Sequence, residues 1–162
     1  MGPVSAKTYF SYRPTVQGTR PIREADYGRR AKCWVFGGLE PHTGAVLTTC
    51  SDRRDTASFL GFLNAVVQHG SEGELYLIMD NLSIHKRLDV RLWLLVHPRV
   101  HFLFQPTYAP WLNLIEPWWK TLRSLALKGR RFETQQQLTD AIHGATAYWN
   151  QQRHPYTWRK AA

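Results

Sequence analysis

The chain has 162 residues, 43% of them hydrophobic, which is enough for one globular domain with a sizeable core. Lys and Arg number 21 against 12 Asp and Glu, and the net charge of +9 favours a polyanionic partner such as DNA. No run approaches the roughly 18 apolar residues that span a bilayer, so we expect a cytoplasmic protein with no membrane partner. Cys33 and Cys50 lack zinc-site and disulfide spacing and are expected to be reduced core thiols.

The first part of the chain predicts a loop region, a hairpin and a helix. Residues 1–30 are rich in Gly, Pro and basic residues and are expected to be mostly loop, with at most a short strand. Strand-like runs over 32–39 and 44–50 predict a β-hairpin. Apolar residues at helical spacing predict a helix over 56–69 with Asp55 as its N-cap. Four arginines beside the hairpin fit either phosphate contacts or a solvated basic rim: Arg29, Arg30, Arg53 and Arg54.

The next segment places an acidic residue at the end of a strand. The apolar run over 75–79 is typical of a strand covered on both faces, and Asp80 follows it directly. Open α/β sheets bind ligands at the carboxyl ends of their strands, so this carboxylate is a candidate ligand. A helix is predicted over 84–97, because Pro98 ends the pattern. The residues expected to pack it on the sheet are Leu88, Leu92, Leu95 and Val96.

A second acidic residue is predicted to open a helix. A strand over 100–105 is followed by a turn over 106–110, because two close prolines exclude a helix there. Pro117 is tolerated only in a first helical turn, so a helix over 118–127 puts Glu116 at its amino end. The helix dipole favours an ionised carboxylate at that position, which is the form that binds a hard cation.

The remaining elements are predicted to be structural. Trp118 and Trp119 are expected to anchor the core rather than to stack on bases. A last helix is predicted over 134–153, with Thr134 as a candidate cap. Each acid also has a structural alternative, since Asp80-Asn81 is typical of a turn and Asn113-x-x-Glu116 of a capping box.

Two motifs, DNLSIHK at 80–86 and QPTYAPWLNLIEPWWKTL at 105–122, surround these acids. They resemble the catalytic domain of DDE transposases, specifically the bacterial insertion-sequence branch related to Tc/mariner elements, the IS six-thirty family. The resemblance extends over nearly the whole chain, and the interval between Asp80 and Glu116 matches that branch. It implies a ribonuclease H-like α/β fold in which both acids are catalytic and bind Mg²⁺, with Mn²⁺ as an alternative cofactor.

The resemblance implies a reaction and partners. In the family, Mg²⁺ activates water to cut a DNA phosphodiester and then activates the freed 3′-hydroxyl to attack target DNA. The implied partners are DNA, as terminal inverted repeats and target sites, and further copies of the intact protein at a bacterial nucleoid. Asn81, His85 and Asn113 are the expected active-site neighbours, although a histidine so placed is often an ordinary loop hydrogen-bonder. The expected DNA-binding residues are Lys86, Lys120, Arg123, Lys128, Arg130 and Arg131.

The resemblance also implies that the sequence begins after the first strand of the family's catalytic domain, its catalytic Asp and a helix-turn-helix region. Residues 1–162 would then form a single catalytic domain that is truncated at its amino end. Two carboxylates alone are expected to hold metal weakly, so the fragment is expected to be inactive by itself. Two other functions stay open: a non-catalytic DNA-binding or oligomerising remnant, and a hydrolase with a different arrangement of metal around the two acids.

Overall fold

The computed structural model describes residues 3–5, of which only the backbone is described, together with 32–70, 72–106 and 113–156. The predictions for Arg29 and Arg30, for most of the loop region over 1–30 and for the turn at 107–110 lie outside these residues. The strands are β1 Pro3–Ser5, β2 Lys32–Glu40, β3 Ala45–Ser51, β4 Leu75–Met79 and β5 Val100–Phe104. The helices are α1 Thr56–His69, α2 Leu88–Leu95, α3 Glu116–Leu122 and α4 Gln135–Gln151. A 3₁₀ turn, Ser83–Lys86, precedes α2, and a π-helical turn, Arg123–Leu127, continues α3.

An antiparallel sheet in the order β1-β2-β3 forms the centre of the described fold. The hairpin of β2 and β3 pairs Trp34 with Ser51 at one end and Glu40 with Ala45 at the other, which confirms the predicted hairpin. Its turn ends at Gly44, whose positive φ of 74° is costly for other residues. A Cβ at Gly44 would also lie 1.9 Å from the main-chain oxygen of His154, so the chain after α4 closes over this turn.

Side chains alternate between the two faces of this sheet, and helices bury both faces. On one face, α3, its π-helical turn and α4 pack through Trp118, Leu122 and Ile142 against Val35 and its neighbours. On the other face, α1 and α2 pack around Phe36, in a cluster completed by Phe59, Phe62, Leu63 and Val90. The two cysteines form no disulfide, as predicted; Cys33 is buried in the core, and Cys50 is partly buried against it. The hydrogen bond with Cys50, together with burial, raises the pKa of Cys33.

A second sheet consists of β4 and β5, which pair in parallel from Leu75 opposite Val100 to Met79 opposite Phe104. One face packs on the Phe36 cluster through Leu77, Met79 and Phe102. The other face exposes Tyr76, Ile78 and Leu103, so the prediction of a strand covered on both faces is wrong. The reason is that, among the described residues, no element packs on that face.

The face of α2 that is buried differs from the predicted one, so that prediction is wrong. Val90 is fully buried, and Trp93 is partly buried against the Phe36 cluster. The four residues predicted to face the sheet are all exposed: Leu88, Leu92, Leu95 and Val96. The helix carries apolar residues on both faces, so helical spacing alone fits either one. These four residues give α2 an exposed apolar face, which we name the α2 apolar face.

Local signals at the helix ends agree with the sequence. The Asp55 side chain accepts from the Ser58 N–H at 2.9 Å and caps α1, as predicted. The Thr134 hydroxyl accepts from the Gln137 N–H at 3.2 Å and caps α4. Trp118 is 1% exposed, which confirms it as a core anchor. Across the residues that the structure describes, no helix is both long enough and apolar enough to cross a bilayer.

Candidate active site

Hydrogen bonds join the carboxyl ends of β4 and β5, and Asp80 lies at this edge of the sheet. Parallel strands end on the same side of a sheet, so residues that follow them come close. The Gln105 N–H donates to the Met79 carbonyl at 2.9 Å, and the Asn81 side-chain amide donates to the Gln105 carbonyl at 2.6 Å. Asp80 therefore lies between two residues that are fixed by the adjacent strand. Its side chain is 43% exposed and accessible to a ligand.

His85 contacts both the main chain and the side chain of Asp80. Its Nδ1 lies 3.0 Å from the main-chain oxygen of Asp80 and 3.3 Å from its carboxylate Oδ1. Because both of these atoms accept, Nδ1 carries the proton and donates. Burial lowers the pKa of His85, against the opposing effect of Asp80, and so favours the neutral ring. The His85 ring packs on Phe59 with centroids 4.5 Å apart.

The geometry bears on the two expectations for His85, an active-site neighbour or an ordinary loop hydrogen-bonder. Its side chain is 3% exposed, so it does not present a nitrogen to a DNA phosphate. The structure favours the hydrogen-bonding alternative, in which His85 fixes the main chain and the carboxylate of Asp80. Its Nε2 is buried and, within the described residues, has no hydrogen-bond partner.

Glu116 is the first residue of α3 and is exposed, as predicted from Pro117. Its N–H donates to the Asn113 carbonyl at 3.1 Å, and the Asn113 side-chain oxygen accepts from the Ile115 N–H at 3.4 Å. In a capping box the Glu116 carboxylate would accept from the Asn113 N–H. No such bond occurs among the described residues, so the carboxylate is available for another partner.

The start of α3 is fixed against β2. Ile115 and Trp118 are buried in the core below Glu116. The ring of Trp119, one turn after Glu116, fills the space above Gly37, where an added Cβ would lie 2.6 Å from the ring. The position of Glu116 therefore depends on a glycine of the central sheet.

The structure groups the predicted site residues in two places. It brings Asp80 together with Asn81 and His85, and it places Glu116 with Asn113. In the described ranges no hydrogen bond or ion pair joins the two acids, and no group of three or more His, Cys, Asp or Glu is arranged to hold a metal.

The predicted DNA-binding residues are all exposed. Lys86 lies over the Phe104 ring, with Nζ 5.0 Å from its centroid, at the same sheet edge as Asp80. The other five are on α3, on its π-helical turn and in the loop that follows: Lys120, Arg123, Lys128, Arg130 and Arg131. Gly129, which has a positive φ of 72°, lies in the turn between Lys128 and Arg130.

Sequence reasoning missed Gln105 as a site residue. It is 8% exposed, and its main-chain N–H and carbonyl join the ends of β4 and β5. A signal was present, since Gln105 is the polar residue that ends an apolar strand, just as Asp80 does.

Comparison with known proteins identifies the family. A family model described as "DDE superfamily endonuclease" matches residues 3–139, which include Asp80, Glu116 and all the described strands. The chain belongs to the DDE superfamily endonuclease family. The match covers most of the chain and confirms a nuclease-type enzyme domain.

A relative and two solved structures add to the family match. This DDE domain is 28% identical over 116 residues to the "Insertion element IS630 uncharacterized 39 kDa protein" of Shigella sonnei, covering 71% of the chain and 34% of the relative. The chain thus spans about a third of that relative. It is also similar to the simian T-cell lymphotropic virus intasome solved with PP2A regulatory subunit B56 gamma, with TM-score 0.54 and 16% identity over 74% of this chain and 41% of that one. The HTLV-2 integrase catalytic core domain has TM-score 0.49 and 17% identity, covering 73% of this chain and 72% of that one.

These findings confirm two predictions from the sequence. The predicted membership of the DDE superfamily is confirmed by the family model, and the similarity to the insertion-element relative supports the predicted IS630 branch. The α/β, ribonuclease H-like fold is confirmed by the likeness to the intasome structure.

Proposed function

We propose that the chain is the catalytic domain of an IS630-type transposase, which cuts DNA strands at terminal inverted repeats and joins them to target DNA. The observation that carries this is the position of Asp80, a half-exposed carboxylate at the carboxyl edge of a parallel strand pair, inside a DDE endonuclease match that also includes Glu116. The net charge of +9 and the exposed cations near both acids support DNA as the substrate.

Mg²⁺ is the proposed cofactor, with Mn²⁺ as a substitute. Endonucleases of this superfamily generally use divalent metals. The chemistry of the two proposed ligands fits, because Asp80 and Glu116 offer hard carboxylate oxygens and neither is neutralised by a Lys or Arg ion pair in the described residues. When bound, such an ion supplies Lewis-acid activation of the attacking oxygen and of the phosphate.

The chain's own residues have distinct roles in this proposal. Asp80 and Glu116 hold the cation, and His85 keeps the Asp80 carboxylate in one orientation. Asn81 and Gln105 fix the edge on which Asp80 lies, while Asn113 shapes the turn before α3. The exposed cations, Lys86 among them, bind backbone phosphates. We propose that the intact protein acts in the bacterial cytoplasm as a homo-oligomer.

The second candidate is a remnant that binds DNA or associates with other copies but does not cut. It is favoured by the lack of a third metal ligand among the described residues.

A cleavage assay separates the two candidates. Nicking of terminal-repeat DNA is measured with Mg²⁺ or with EDTA, for the chain with and without the residues encoded directly upstream. We expect Mg²⁺-dependent nicking by the extended polypeptide, and its loss in Asp80→Asn and Glu116→Gln. Asp140→Asn, on the exposed side of α4, is the matched control and should cut normally. Salt-sensitive binding without nicking in every form would establish the remnant instead.

A further inference from the structure

Two cations lie over one aromatic ring at the amino end of β2. The Nζ of Lys32 is 5.4 Å from the ring centroid of Trp34, and the guanidinium carbon of Arg54 is 5.0 Å from it. Both distances are within the roughly 6 Å over which a ring attracts a cation. The ring itself is fixed, because Trp34 packs partly against the Phe36 cluster. Trp34 therefore restrains two long side chains that would otherwise be mobile.

The charges of Lys32 and Arg54 are not neutralised by nearby carboxylates. In the described part of the chain, neither residue takes part in an ion pair. The two acids of the same loop have other partners, since Asp52 accepts from Gln135 and Asp55 caps α1. Both cations are exposed, so an external anion can reach them.

The position of this pair relative to Asp80 follows from two contacts. Arg54 directly precedes the cap of α1, and Phe59, one turn into that helix, packs on His85. His85 in turn bonds Asp80. The cations thus lie at the Asp80 end of the molecule, and Lys86 marks the same sheet edge over Phe104.

We propose that Lys32, Trp34 and Arg54 form a phosphate clamp that binds the DNA backbone beside Asp80. The two cations contact the phosphate, and Trp34 is a positioning residue that holds them. Holding the cations in place before DNA arrives reduces the entropy lost on binding. The clamp rests on the proposed function for its choice of DNA, and it adopts phosphate contact, rather than a solvated rim, as the role of Arg54.

The test is DNA binding by the full chain in EDTA, so that no cleavage occurs. The probe is a short fluorescently labelled duplex, and anisotropy is measured over a series of salt concentrations. Each lost phosphate contact should reduce the slope of log K against log salt by about 1. We expect that reduction, with several-fold weaker binding, for Arg54→Gln. Arg153→Gln is the matched control, because Arg153 follows α4 near the opposite, Gly44 end of the sheet.

The role of Trp34 is tested with its charge partners intact. Trp34→Phe keeps a ring and should bind nearly as the parent does, whereas Trp34→Leu should bind several-fold more weakly. Thermal unfolding of each variant reports whether the fold is kept. If Trp34→Leu unfolds, the clamp is tested instead with the double variant Lys32→Gln/Arg54→Gln, in which both changes are at exposed positions. Equal affinity and slope for Arg54→Gln, Arg153→Gln and the parent would overturn the clamp.

The outcome is separable from that of the proposed function. Asp80→Asn should bind the duplex in EDTA at least as well as the parent, because removing a carboxylate does not weaken contact with phosphate. If the clamp variants weaken binding and no form cuts DNA, the clamp stands and the transposase activity fails. If Mg²⁺-dependent cutting is found and Arg54→Gln binds normally, the activity stands and the clamp fails.

Discussion

Replacing Gly37 with alanine should destabilise the chain and displace Glu116. The new Cβ would lie 2.6 Å from Cη2 and 3.0 Å from Cζ2 of Trp119, and 3.3 Å from Cδ1 of Ile115. Carbon atoms pack at about 3.5–4.0 Å, so the Trp119 ring must move by about 1 Å or the strand must shift. Neither movement is easy, because the ring belongs to α3 and the strand is central in its sheet.

The expected cost follows from core overpacking, which is about 1–3 kcal/mol. For a chain of this size each kcal/mol lowers Tm by about 2–4 °C, so Gly37→Ala should lower Tm by roughly 2–12 °C. The measurement is thermal unfolding followed by circular dichroism. The matched control is Gly61→Ala, the same change in the interior of α1 with no atom within 4 Å of the new Cβ, which should raise stability by about 0.5–1 kcal/mol.

A double-mutant cycle identifies the clash as the cause. Trp119→Phe removes the ring atoms that the new Cβ meets, so the loss caused by Gly37→Ala should be much smaller in that background. In the upstream-extended polypeptide, Gly37→Ala should also reduce Mg²⁺-dependent nicking at a temperature where the variant is still folded. A Tm equal to that of the parent, or the same loss in the Trp119→Phe background, would refute the argument that this contact positions α3.

Three further outcomes are expected. His85→Asn keeps an N–H donor for Asp80 and should retain more nicking activity than His85→Leu; equal activities would remove His85 from the positioning of Asp80. Hydrogen bonds from Ser58 lower the pKa of Asp55, so its stabilising effect is present above the unfolded pKa and is lost as pH falls through the lower folded value. The Tm difference between Asp55→Ala and the parent should therefore be largest at neutral pH and vanish in acid, and a constant difference would contradict this. Leu92→Glu, on the α2 apolar face, should reduce self-association in light scattering without lowering Tm, and unchanged association would exclude that residue from the contact.

Much of the fold was predictable because its signals are local. Asp55 and Thr134 cap helices through their own side chains, and the strands of the hairpin are adjacent in the sequence. Pro117 restricts where α3 can begin, so the position of Glu116 in its helix was also a local inference.

The errors concern which side of an element is covered, which depends on distant parts of the chain. The apolar residues of α2 fit two faces equally, and only packing against α1 selects the face with Val90. The run over 75–79 is apolar throughout, yet a strand buries both faces only where a layer packs on each.

The acids of the candidate site were predictable from the sequence, but the residues that hold them in position were not. Asp80 is recognisable as a carboxylate that ends an apolar strand. The contact of His85 with Asp80, in contrast, depends on Phe59 of another helix, which packs on the His85 ring. The clamp likewise joins Trp34 with Arg54, which come together only when the hairpin has formed.

Crystals grown with Mn²⁺ provide the most direct measurement, because anomalous scattering locates the ion independently of the protein density. One peak bonded to carboxylate oxygens of both Asp80 and Glu116 is the predicted result. Side chains of these two residues directed to opposite sides of the molecule, with no ion between them, would contradict the assignment of a metal-dependent nuclease.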